Sequence, residues 1–171
     1  MKLFKILFPA IIALTTAIAP LSIAAQNITA GELSAKVNDL STEQIVSMAH
    51  TLLDTPLAGN EETVKAYNTI ILMWLTNTHE ITISMNVIPE LSTNANIMMA
   101  YLSAEIINMN KLGLKKNDKT TFIESMKDVL KYYLVNKEAI GRIPELNKLS
   151  RTASGELDKK LGKMYDASMR R

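Results

Sequence analysis

NANIMMAYLSAEIINMN, residues 94–110, decides the fold. Ile97, Met98, Met99, Tyr101, Leu102, Ile106, Ile107 and Met109 fall almost all the way round a helical wheel instead of along one stripe. A helix apolar on several faces belongs at the centre of a bundle, where neighbours cover each face. Pro89 and Ser92-Thr93 introduce this helix, and Gly113 is a suitable stop, because glycine enters the left-handed conformation that ends many helices.

The flanking segments read as single-stripe helices. Ser41 with Gln44 three residues on makes a capping box, and Ile45, Met48, Ala49, Leu52 and Leu53 follow at helical spacing until Pro56 and Gly59. Asn60 with Glu61 and Glu62 suits the positive end of a second helix, in which Val64, Tyr67, Ile71 and Trp74 recur at steps of three and four. After Trp74 the run TNTH is poor in helix formers, and ITISM (81–85) alternates like a short strand. One strand alone makes no sheet, so the spacing predicts an extended connector or one side of a minor ladder. Asp118 is expected to cap a fourth helix with a Phe122, Met126, Val129, Tyr133 stripe reinforced by Ile123, Leu130 and Leu134, its outer face carrying Glu124, Lys127, Asp128 and Lys131. Gly141 and Pro144 break the chain before two shorter helical segments near 145–151 and 155–169. The predicted fold is therefore all-α, a helical bundle of two consecutive helix hairpins plus a C-terminal helical extension. Setting Ser41-Thr42 over Ser92-Thr93 also aligns Met48-Ala49 with Met99-Ala100, as either a duplicated hairpin or shared helix-start chemistry would do.

The first residues carry Lys2 and Lys5, then a greasy run through Leu7, Phe8, Ile11, Ile12, Leu14 and Ile18, then small residues. That order is a secretory signal peptide, with cleavage expected near Ala24 or Ala25. Pro9, Pro20 and the shortness of the run weigh against a membrane anchor, which needs about 20 apolar residues. The domain reading is signal peptide 1–25, flexible leader 26–40 and a single helical domain 41–171. The location expected is exported, periplasmic or secreted, with no transmembrane span once the signal is gone. The chain contains no cysteine, which excludes disulfides, thiol nucleophiles, thiolate zinc sites and a bacterial lipid anchor.

Formal charge divides along the chain. Residues 26–110 hold two basic residues, Lys36 and Lys65, against nine acidic ones; residues 111–171 hold fifteen basic against eight acidic. The stretch Lys111, Lys115, Lys116, Lys119, with Lys159, Lys160 and Lys163, is the candidate contact for a polyanion such as phosphate or acidic glycan. The competing reading is a solvated face, or a counterpart to the acidic half. Aromatics are sparse beside these lysines, only Tyr132, Tyr133 and Tyr165 lying near, so there is no specific nucleic-acid signal.

MWLTNTHEITISM, residues 73–85, raises a metalloprotease question that its own sequence answers. Two histidines one turn apart are needed to reach one zinc, and here Ile81, Thr82 and Ile83 follow His79-Glu80. With only His50 elsewhere, His79 reads as a helix-end residue facing the negative end of the dipole. Ten methionines suggest soft ligands for monovalent copper, but their scatter through helical stripes reads as core filling. No cofactor and no metal are expected, and no Walker, Rossmann, Gly-x-Ser-x-Gly or Ser-x-x-Lys pattern occurs.

The runs MWLTNTHEITI (73–83), AYLSAEIINM (100–109) and LKYYLVNKE (130–138), leading to a short charged tail, resemble a family of small exported all-helical proteins of unknown function from Gram-negative bacteria. Such relatives often carry a glycine soon after the Ala-Tyr pair, where this chain has Ala104 and Glu105. The resemblance implies export and a helical fold and transfers no activity. The functional expectation is a non-enzymatic binding, accessory or structural component of the cell envelope with a protein partner there or outside the cell. Polyanion binding is the alternative. An enzyme with an unrecognised site is a third, with His50, Glu43 and His79 its only natural candidates.

Overall fold

The computed structural model describes residues 35–84 and 94–170. The chain divides into two compact units, Met1–Asp39 and Leu40–Arg171. In the first, residues 35–38 make a helical turn, which the Asp39 amide closes by donating to the Ala35 carbonyl at 3.2 Å. The expected signal peptide, its expected cleavage position and most of the expected leader lie outside the described residues.

The second unit is all-helical: α1 (Thr42–Asp54), α2 (Glu61–Asn77), α3 (Ala95–Leu112), α4 (Lys119–Val135), α5 (Lys137–Ile140), α6 (Pro144–Leu149) and α7 (Ser154–Ser168). The expected all-α fold is what the chain adopts. α3 lies at its centre, packing most extensively on α4 and then on α1, as its many-sided apolar pattern requires. Ile97, Met99, Tyr101, Leu102, Ile106 and Met109 are all buried. α2 leans mainly on α1, and α7 lies along α4. The stripes of the outer helices point inward: Ile45, Met48, Ala49 and Leu52 of α1, Val64, Tyr67, Ile71 and Trp74 of α2, and Phe122, Met126, Val129 and Tyr133 of α4 are buried. Of the methionines, Met48, Met99, Met109 and Met126 fill this core.

Helix boundaries follow local chemistry. Ser41 accepts from the Gln44 amide while the Gln44 side chain accepts from the Ser41 amide, the capping box expected there. Asp118 and Thr121 form the same reciprocal arrangement at α4. α3 starts on Asn94, whose Oδ1 accepts from the amides of Asn96 and Ile97, and ends on Gly113 at φ 65°. Its cap thus stands two residues later than the Ser41–Ser92 alignment would put it, although Met48-Ala49 and Met99-Ala100 are both buried pairs.

Three local expectations change. Asn60 sits at the N-cap of α2 but makes no capping bond, because its Nδ2 turns back to donate to the carbonyls of Pro56 and Ala58. Leu134 does not reinforce the α4 stripe; it is 53 % exposed, because the stripe rotates past it at the end of the helix. The short α5 was not expected, since KEAI is too brief to show a period.

Polar side chains tie the elements together. Asn136 closes the end of α4: its Oδ1 accepts from the Leu57 amide at 2.6 Å and its Nδ2 donates to the Tyr132 carbonyl at 3.0 Å, joining the α1–α2 loop to α4. The Tyr133 hydroxyl accepts from the Ile143 amide and from Asn147 Nδ2, which seats α6. Lys119–Asp166 at 2.7 Å and Lys127–Asp158 at 3.0 Å run α7 antiparallel along α4, with the Phe122 and Tyr165 rings 5.5 Å apart between them.

The connector after α2 is extended, as ITISM predicts, and makes one parallel bridge, Thr82 with Lys116. The Thr82 amide donates to the Lys115 carbonyl at 2.8 Å, and the Asn117 amide donates to the Thr82 carbonyl at 3.3 Å. Asn117 adds a side-chain clamp, its Oδ1 accepting from the Ser84 amide at 2.8 Å and its Nδ2 donating to the Ser84 carbonyl at 3.3 Å.

Candidate functional site

Residues at helical spacing build a groove between α1 and α4. His50, Leu53 and Asp54 give it an α1 wall, and Asp128, Lys131, Tyr132 and Val135, at steps of three and four, give it an α4 wall. Ile107 of α3 lies between them, and the volume is about 310 Å³. Asp128 is committed on both oxygens, Oδ1 accepting from Lys131 Nζ at 2.9 Å and Oδ2 from Asn108 Nδ2 at 3.3 Å. Asn108 Nδ2 also donates to the Ala104 carbonyl and to Ser125 Oγ, so this rim is anchored in the α3–α4 seam. The Tyr132 hydroxyl is buried without a hydrogen-bond partner among the described residues. Burial pushes that phenol up to about 12, so it stays neutral. At the α4 end of the groove Val135 is 69 % exposed, beside the exposed Leu134.

A second groove, about 260 Å³, lies where the connector meets the end of α3. Glu80 and Ile81 form one side, Gly113, Leu114 and Lys115 the other, and Ile106 and Met109 line it from α3. Thr42 Oγ1 donates to Glu80 Oε2 at its edge.

The seven lysines fall on α3, the loop after it, α4 and α7. Lys111, Lys115 and Lys116 are exposed at the end of α3 and in the following loop, which the connector bridge holds in place. Lys119 is paired with Asp166 of α7, and its side chain runs over Gly162, where an added Cβ would stand 3.1 Å from Lys119 Cε. On α7, Lys159 and Lys163 are exposed and Lys160 is half-buried. Among the described residues all four ion pairs join side chains between Lys119 and Asp166; none reaches the carboxylates of α1 or α2. His50 lines the α1–α4 groove, while Glu43 and His79 are exposed. No grouping of His, Asp and Glu among the described residues could hold a metal ion.

The polar feature that pattern reading passes over is Glu105. It is 0 % exposed, in the middle of α3. Its Oε1 accepts from the Tyr101 hydroxyl at 2.6 Å, and its Oε2 has no hydrogen-bond partner among the described residues. Burial pushes the carboxyl up, and the charge of Asp118 adds to that, while Tyr101, Thr121 and Asn117 pull the other way. Desolvation and the neighbouring Glu105 likewise drive the Tyr101 phenol well above its ordinary value. One acidic residue at the centre of an otherwise apolar run was the available signal.

No protein-family model, no curated protein and no solved structure matches the chain. No helix among the described residues is long and apolar enough to cross a membrane.

Proposed function

We propose that this chain is an exported helical protein that works by presenting its surface, as a binding, accessory or structural component of the cell envelope. The observation that carries this reading is the α1–α4 groove ending in the exposed pair Leu134 and Val135. Aliphatic side chains at the mouth of a concave, mixed-polarity surface suit a protein partner that covers them. The order of charged, greasy and small residues up to Ala25 supports export.

A photo-crosslinking residue at Val135 tests the idea in envelope extract. A discrete adduct is expected, lost in a Leu134→Ser/Val135→Ser variant of unchanged helicity. Turnover of an ester, peptide, glycoside or phosphate that a point substitution abolishes would overturn it.

The alternative, polyanion binding, is favoured by one observation: Lys111, Lys115 and Lys116 are exposed and their charges are not met by the acidic helices α1 and α2 among the described residues. Retention on a sulfated resin should then fall steeply with salt. Lys115→Glu with Lys116→Glu should abolish it; unchanged retention in that variant removes the alternative.

A further inference from the structure

The 82–84 connector is held to the 115–117 loop by the two backbone hydrogen bonds of the Thr82–Lys116 bridge and the two bonds of the Asn117 clamp. Asn117 also faces inward, where its side chain acts on both Glu105 and Tyr101. The junction therefore lies beside a carboxyl that is wholly shut off from water and has one oxygen without a hydrogen-bond partner among the described residues.

We propose that Glu105 is a proton-operated latch on this junction, closed while the carboxyl carries its proton and released when it loses it. The neutral carboxyl keeps the Tyr101 bond and leaves only its own O–H to be satisfied, a far smaller cost than a buried charge. A carboxylate in the same place, with no cation against it, must draw in water or part the elements that enclose it. The described groups that face it come from each of those elements: Tyr101 from α3, Asn117 and Asp118 from the loop, Thr121 from α4 and Tyr165 from α7. None of them is a cation. Lys119 of α4 is engaged with Asp166.

The joint that gives is the connector, because it is tied by few bonds and by no helix. Ile106 and Met109, which line the second groove, follow Glu105 on α3, Met109 one helical turn on, and the connector and the loop form that groove's two sides. Release of the latch widens it and bares its apolar floor. The inference does not depend on the reading of the α1–α4 groove.

Hydrogen exchange of the purified protein, followed by NMR across pH and expressed as protection factors, tests this. In the native chain protection of the Thr82, Ser84 and Asn117 amides should fall by up to about tenfold per pH unit between the ordinary glutamate value and the higher one of Glu105. In Glu105→Gln it should stay flat. An equal fall in both proteins, or none in either, overturns the latch. If Glu105→Gln does not fold, the native chain decides: the Glu105 side-chain carbon should titrate above the ordinary carboxylate range at the same midpoint as the three amides. A separate midpoint, or an ordinary one, overturns the proposal equally.

Discussion

A Cβ placed on Gly162 crowds the flexible end of Lys119 at 3.1 Å and makes ordinary contact with Ile123 at 3.8 Å. Gly162→Ala should therefore gain helix propensity of about 1 kcal/mol while displacing an arm whose exposed ion pair contributes little. A small rise in melting temperature is expected, whereas Gly162→Leu, too large for the α4–α7 seam, should lower it. Glu105 sets a pH dependence whose sign follows from its burial. Its carboxyl lies above the unfolded value, so its contribution to stability is complete below about pH 4.3 and is lost as pH rises through the raised value. Denaturant titrations should show the native chain losing stability relative to Glu105→Gln as pH rises from 4. Single-residue chemistry was only partly legible in the sequence. The caps at Ser41 and Asp118 could be read because capping depends on neighbours a few residues away. Asn60 and Leu134 could not, since a side chain's choice among nearby carbonyls and the point where a stripe rolls off its neighbour are settled by packing.

Among elements, the Asn136 side chain is the costliest tie to cut. Asn136→Ala leaves the Leu57 amide buried without its acceptor, and should cost about 1–3 kcal/mol in a urea melt. Replacing Asp118 by Ala should cost about 1 kcal/mol at the start of α4. The existence and type of the long helices followed from periodicity, and the extended connector from its alternation. Its docking on 115–117 did not, because the bridge forms between segments far apart in sequence. The α1–α4 groove was equally hidden: His50 and Lys131 give no sign in the chain that they share a wall and a rim.

For the molecule as a whole, the division of formal charge persists in the fold, because the described ion pairs stay within the basic half. These pairs are at least partly exposed and are screened by salt, so raising ionic strength to about 0.5 M should change stability by less than about 1 kcal/mol. Stability rests on the apolar seams between helices, and those seams are uneven. α3 is gripped by α1 and α4, whereas α2 leans mainly on α1. The chain's single tryptophan, Trp74, is buried on that peripheral helix. Nature has thus fitted a lamp to a plank held mainly from one side: under mild denaturant the indole emission should redden before circular dichroism reports any general melting, timing the departure of one wall from the building.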